Sequence, residues 1–251
     1  MTSSVRRRID AGEVALGAAV QIDSTWIVEM CANAGYDYVL LDGEHGAVAG
    51  GLPALQLAAQ VHGMDAIVRV GTQDRGVVLP ILEGAPSGIW FPMVESAEQA
   101  RQLVDLCKYA PLGRRGFSLA TRASGFGTAS RDEHVERTNR ECLLVLTIET
   151  VRGVEAAADI AAVEGVDLLF VGRDDLTEDL GASDRADPRS VAATEAVLDS
   201  VADRVPVGTT AFTAGEAARW SARGFAFLLT GSTRTIQSAL RAAHDELRPP
   251  G

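Results

Sequence analysis

Eight short apolar runs, most of them unbroken, recur along the chain and alternate with longer stretches of helical periodicity. The runs fall at about 14–20 (VALGAAV), 37–42 (DYVLLD), 66–70 (AIVRV), 88–94 (GIWFPMV), 143–149 (LLVLTIE), 167–172 (DLLFVG), 205–209 (VPVGT) and 225–230 (FAFLLT). A strand with water on one face alternates apolar and polar residues. A strand covered on both faces is apolar throughout, as in a parallel sheet wrapped in helices. The clearest helical patterns between the runs span 24–34, 52–62, 96–108, 151–163, 187–203, 213–223 and 233–247. Ser24, Ser96, Asp187 and Thr213 stand where N-caps belong, and Gly35, Gly165 and Gly224 where helices stop. Eight strands alternating with about eight helices in 251 residues predict a single-domain (β/α)8 TIM barrel over 1–251. A doubly wound open sheet is the alternative, and the lack of a glycine-rich nucleotide fingerprint after the first strand argues against it.

Charge narrows the partners. A net charge of −11 leaves nothing to neutralise a run of phosphates or an anionic membrane, so nucleic acid and membrane surfaces are not expected partners. It does not exclude a small anionic substrate, because one local arginine or metal ion overrides the global charge. No apolar run approaches the ~18 residues of a membrane span. Cys31, Cys107 and Cys142 sit in apolar segments with no zinc-type spacing, so they read as core residues in a reducing, cytoplasmic setting. The longest irregular piece, about 110–130 (APLGRRGFSLATRASGFGTAS), is long enough to be functional or mobile.

In a (β/α)8 barrel, chemistry gathers at the C-terminal ends of the strands. There the sequence places Asp42, Glu44 and His45 after strand two and Arg69 in strand three. Pro92 to Glu95 follow strand four, and Glu149 closes strand five. Gly172, Arg173, Asp174 and Asp175 follow strand six, with Thr209 and Thr210 after strand seven. A carboxylate such as Glu149 ending a buried strand needs a salt bridge or a metal. Asp174 and Asp175 read either as helix-capping residues or as metal ligands. Carboxylates without cysteine or histidine partners suit a hard ion, Mg2+ or Mn2+. Arg69 reads as a salt bridge to a barrel carboxylate or as a clamp on a substrate carboxylate or enolate. His45, three residues beyond Asp42, reads as a base oriented by that carboxylate or as a turn residue. His62, His134 and His244 read as surface residues. The segment TGSTRT, 230–235, is a phosphate-site candidate at the start of the last helix, or an ordinary cap by Ser232 or Thr233.

Taken in order, the segments GAAVQIDSTWIVEMCANAGYDYVLLDGEHG, GIWFPMVESAEQARQLV, GRRGFSLATRAS, IETVRGVEAAADIAAVEGVDLLFVGRDDLTEDLG and TAGEAARWSARGFAFLLTG resemble the HpcH/HpaI family of class II pyruvate aldolases, relatives of the citrate lyase β subunit. The resemblance covers nearly the whole chain. It implies a divalent metal (Mg2+ or Mn2+, with Co2+ a third candidate) on Glu149 and Asp175. It implies Arg69 against the keto or enolate oxygen of pyruvate, and His45 with Asp42 in proton transfer. The reaction implied is formation or cleavage of a C–C bond between pyruvate and an aldehyde. Thr147, Gly172, Arg173, Asp174, Ser124 and Thr209 become substrate-binding candidates, with Arg115 and Arg122 as further candidates in the 110–130 segment. The resemblance further implies a homo-hexamer built as a trimer of dimers, with Glu83 contributed from a neighbour and the last helix a candidate for packing on another subunit.

The chain departs from the family pattern at four places. Thr147 replaces the usual Gln, and Gly172-Arg173-Asp174-Asp175 replaces Gly-Pro-x-Asp. Glu83 stands where Asp is commoner, and Gly231-Ser232-Thr233 where Gly-x-Asp is frequent. These changes keep a second outcome open: the same site serving oxaloacetate decarboxylation, citrate-type condensation or a specialised C–C bond step.

Overall fold

The computed structural model describes residues 4–201 and 204–248. Among them, eight parallel strands pair in sequence order and close on themselves: β1 (Ala15–Val20), β2 (Tyr38–Asp42), β3 (Asp65–Arg69), β4 (Gly88–Phe91), β5 (Leu143–Ile148), β6 (Leu168–Val171), β7 (Val207–Thr210) and β8 (Phe227–Gly231). The fold is the (β/α)8 barrel that the alternating runs predict, and the runs locate every strand to within a few residues. Around it lie α1 (Ser4–Asp10), α2 (Thr25–Asn33), α3 (Leu52–Val61), α4 (Arg75–Glu83), α5 (Ala97–Cys107), α6 (Arg131–Glu141), α7 (Val151–Ala161), α8 (Arg173–Asp179), α9 (Pro188–Val201), α10 (Ala214–Arg223) and α11 (Ser232–Leu247). The predicted helix 187–203 is α9, and its residues 202–203 lie outside the described residues. No helix among the described residues is long and apolar enough to cross a membrane.

Alternation along each strand splits the buried residues into two layers. One set faces the helices. The other, including Tyr38, Leu40, Ile67, Trp90, Val145, Phe170, Phe227 and Leu229, fills the barrel. Four rings form the floor: Tyr38 stacks on Phe227 at 4.2 Å, and Trp90 lies 4.5 Å from Phe170. Gly208 makes room for them, since a Cβ there would fall 2.8 Å from the Phe227 ring and 2.9 Å from that of Phe170. The N-terminal end of the barrel is closed by α1, whose Val5 joins this inner set while its N–H donates to Asp65 Oδ2 at 2.8 Å.

Four helices lie outside the predicted patterns. The polar sequence RDEHVERTNRE of α6 has no apolar stripe; a reciprocal cap between Ser130 and Glu133 starts it. Pro80 interrupts the pattern of α4, while α1 and α8 are only 7 residues each. The caps are mixed: Ser96 and Thr213 accept N–H bonds from Gln99 and Glu216, whereas Ser24 makes no side-chain cap. One histidine expectation fails. His134 is fully buried, within 3.0 Å of Tyr109 Oη, because α6 turns that single position inward against Tyr109 and Phe117. Segment 110–130 is irregular apart from a 3-10 turn at Arg122–Ser124.

Candidate active site

The mouth of the barrel is built by residues in phase with the inner layer. In β2 and β3, Asp42 pairs in register with Arg69, and both point inward. Arg69 Nη2 donates to Asp42 Oδ2 at 2.7 Å and Nε to Oδ1 at 3.0 Å, a bidentate pair. Asp42 is fully buried and also receives the N–H groups of Glu44 (3.2 Å) and His45 (3.1 Å). Burial would push its carboxyl up, but Arg69 and these donors outweigh it and hold the pKa below the ordinary range.

The turn after β2 therefore differs from its sequence reading. Asp42 binds only the backbone of His45, so it does not orient the imidazole. The carboxylate beside the ring is Glu44, with Oε2 3.7 Å from His45 Nε2 and 3.3 Å from Arg69 Nε. Asp42 is committed to Arg69 because the two strands lock them in register, whereas Glu44 lies beyond the strand and can turn. The His45 side chain is 62% exposed, open to an incoming ligand.

Glu149 follows β5 on the opposite wall and is 4% exposed. Its Oε1 accepts the Met93 N–H at 2.7 Å. Met93 adopts a positive φ of 56°, rare for a side-chain-bearing residue, which turns that N–H toward the carboxylate. Gln99 holds the turn from behind, donating to Met93 O and accepting from the Glu95 N–H. No guanidinium or ammonium among the described residues lies within ion-pair distance of Glu149. Burial, reinforced by the charges of Asp175 and Glu44, pushes its pKa up to about 7 against the opposing pull of the Met93 N–H and Arg69. Glu149 lies against Gly172, where a Cβ would fall 2.9 Å from Glu149 Cβ and closer still to Oε2. Asp175 follows in the first turn of α8, exposed at the same rim. This donor set fits a hard divalent ion: an uncompensated buried carboxylate, a second carboxylate beside it and a glycine cradle that keeps one oxygen accessible. No group of three or more His, Cys, Asp or Glu converges among the described residues, so the candidate is a two-carboxylate site.

Thr147 points into the barrel below Glu149, but its Oγ1 accepts the Trp90 indole N–H at 2.6 Å. Other candidates lie elsewhere. Thr209 faces outward and donates to Val171 O; its neighbour Thr210 is the one in phase with the mouth, with a buried hydroxyl that lacks a partner. Arg173 begins α8, and its side chain runs back over Trp220 instead of toward the two carboxylates. Asp174 pairs with Arg185 at 3.2 Å. Ser124 is buried within its own loop, donating to Leu119 O and Thr121 O. Arg122 donates to Gln60, and Arg115 is buried over Tyr109 and paired with Glu83 at 3.2 Å. Glu83 ends α4, at the N-terminal end of the barrel, away from its own mouth. Ser232 donates to Ala19 O, and α11 has no side-chain cap, so TGSTRT is neither of the caps its sequence suggests. Sequence reading placed Thr210 and Met93 at the rim without giving either a role, and it overlooked the Trp90 floor. Counting by twos from Gly208 favours Thr210 over Thr209, whereas nothing in the sequence marks the turned backbone at Met93.

A closed parallel barrel whose mouth joins a buried Arg–Asp pair to two metal-type carboxylates defines an acid-lined TIM-barrel site. The chain belongs to the HpcH/HpaI aldolase/citrate lyase family, whose model matches residues 20–233. It is 31% identical to the hydroxypyruvate/pyruvate aldolase of Paraburkholderia phytofirmans, with 98% of each chain covered. It is 35% identical to the 4-hydroxy-2-oxovalerate aldolase of Novosphingobium aromaticivorans, over 82% of this chain and 79% of that one. A crystal structure of an HpcH/HpaI aldolase/citrate lyase family protein from Burkholderia cenocepacia superposes with a TM-score of 0.91 at 27% identity, covering 99% of this chain and 100% of that one.

Proposed function

We propose that this chain is a divalent-metal-dependent class II aldolase, a carbon–carbon lyase that interconverts a 4-hydroxy-2-oxo acid with pyruvate and an aldehyde. The observation that carries the reading is Glu149: a carboxylate buried at the barrel mouth, pushed up to about 7, with no cationic side chain among the described residues in ion-pair reach. Glu149 and Asp175 would hold the ion, Mg2+, Mn2+ or Co2+. When bound, the ion supplies Lewis acidity toward a chelating 2-oxo acid.

The remaining roles belong to the chain itself. Arg69 is fixed by the Asp42 pair, so its cation is already oriented when enolate charge develops at the keto oxygen. His45, with Glu44 Oε2 3.7 Å from its Nε2, carries the proton at the acceptor oxygen. The Trp90–Thr147 floor and the rings below it exclude water from beneath the substrate. Thr147 offers a hydroxyl that already accepts the Trp90 N–H in place of the amide a Gln would present. That observation favours a second reading, in which the site processes oxaloacetate by decarboxylation or citrate-type condensation. The resemblance and the exposed C-terminal helix, with Leu240 at 63% and Leu247 at 81%, support a homo-hexamer in which α11 packs on a neighbour and Glu83 lies at an interface.

The test is turnover by chelator-treated protein. Pyruvate release from a 4-hydroxy-2-oxo acid should appear on adding Mg2+, Mn2+ or Co2+. Oxaloacetate consumption with no cleavage of hydroxy-oxo acids would favour the second reading, and metal-independent turnover would overturn both. Light scattering checks the hexamer.

A further inference from the structure

Arg173 stands where the family pattern has proline, and it ties two segments of the rim together. It is 3% exposed, and its guanidinium lies 4.8 Å from the Trp220 ring centroid. Nη2 donates to the Arg185 carbonyl, and Nη1 lies 3.6 Å from Glu216 Oε1. Glu216 Oε2 in turn accepts the Phe212 N–H at 2.8 Å. One buried cation thus fixes the loop after α8, which carries Arg185, and the turn after β7, which carries Phe212.

These segments meet at the mouth. Phe212 lies two residues beyond Thr210, and its ring would touch a Cβ on Gly231, at the end of β8, at 3.8 Å. Two guanidiniums lie over that ring: Arg185 at 4.4 Å from the centroid and Arg234 at 4.8 Å. Arg185 also pairs with Asp174, which stands next to Asp175 in the first turn of α8. Its Nη1 is buried without a hydrogen bond. Arg234 has no ion-pair partner among the described residues. It sits in the first turn of α11, where the helix dipole disfavours a cation and where no acidic side chain compensates it. Two like charges held against one ring, one of them without a counter-ion, form an arrangement that an anion would stabilise. This occurs in a chain whose net charge is −11.

We propose that Arg185, Phe212 and Arg234 form an acceptor subsite for aldehydes that carry an anionic group, carboxylate or phosphate, remote from the carbonyl. The proposal rests on the aldolase reading. In the reaction, pyruvate C3 loses a proton and bonds to the aldehyde carbon, the aldehyde oxygen gains a proton, and the anionic tail is unchanged.

The test compares matched acceptors: succinic semialdehyde against butanal, and glyceraldehyde 3-phosphate against glyceraldehyde. The wild type should favour the charged member of at least one pair in kcat/KM, and the pair with the larger ratio separates carboxylate from phosphate. Arg234→Met should lower that ratio about tenfold to hundredfold, the scale of one lost charge-assisted hydrogen bond. Arg234→Lys should restore part of it. Calorimetric titration of succinate and inorganic phosphate into metal-free protein gives a readout that needs no turnover: binding should be present in the wild type and weakened in Arg234→Met. A wild type indifferent to acceptor charge, or a ratio and an anion affinity unchanged by Arg234→Met, would overturn the subsite. Arg234-dependent anion binding without metal-dependent turnover on any acceptor would instead sustain the subsite and sink the aldolase reading.

Discussion

Replacing Glu149 by Gln should stabilise the metal-free protein above neutral pH, although it removes a ligand from the proposed metal site. The folded chain raises the Glu149 carboxyl from an ordinary 4.5 to about 7, chiefly by burial. At about 1.4 kcal/mol per pH unit, that amounts to about 3 kcal/mol between the two protonation states. Between about pH 4.5 and 7 the folded state holds a proton that the unfolded chain has released, so stability falls as pH rises through this window. Above it, the buried carboxylate destabilises the fold by the full amount. A glutamine keeps an oxygen for the Met93 N–H and carries no charge. In chelator, urea titrations should therefore find E149Q more stable than wild type by about 2–3 kcal/mol at pH 8, with the gap closing toward pH 5. Adding Mn2+ at a hundred times its dissociation constant should raise wild-type stability by about 2.7 kcal/mol and E149Q by far less. A variant less stable than wild type at pH 8, or a gap independent of pH, would refute the claim that Glu149 is a buried charge awaiting a cation.

Three further outcomes follow from the same geometry. Asp42→Asn should cost about 1–3 kcal/mol in chemical denaturation, because it removes the bidentate partner of the half-buried Arg69 guanidinium and leaves Glu44, 3.3 Å from Nε, as its paired carboxylate. Gly172→Ala should push Glu149 aside at a cost of about 1–3 kcal/mol and weaken Mn2+ binding in calorimetry, since its backbone conformation tolerates alanine and only the space does not. Thr147→Val should strand the Trp90 N–H in the closed floor and lower stability by about 1–3 kcal/mol, measurable as a lower Tm.

The strands were legible because parallel strands buried on both faces must be apolar throughout, and few other segments of this chain are. The same property hides which face each residue takes. In β7, VGTT gives no alternation to follow, since Gly208 is inward but has no side chain, and the choice fell on Thr209 in place of Thr210. Asp42, Arg69 and Glu149 could be found because a charged group at the end of an apolar run is conspicuous. Their partners could not: nothing in DGEHG says that the strand register commits Asp42 to Arg69 and leaves Glu44 for His45. Arg173 misled for a related reason. Its proximity in sequence to Asp175 suggested the metal site, but the first residue of α8 points out of the barrel, where Trp220 and Glu216 receive it. His134 reads as a surface residue because α6 looks polar throughout, and a single inward position leaves no periodic trace.

The central claim, that Glu149 and Asp175 hold an ion which acidifies pyruvate while Arg69 steadies the developing charge, is tested most directly by proton exchange without any acceptor. Pyruvate incubated with the protein in deuterated buffer should lose its methyl proton signal in NMR when Mg2+, Mn2+ or Co2+ is supplied. Exchange should stop with chelator and in Glu149→Gln and Asp175→Asn. Pyruvate methyl protons that stay unexchanged with every one of these ions, or that exchange equally in both variants, would contradict it.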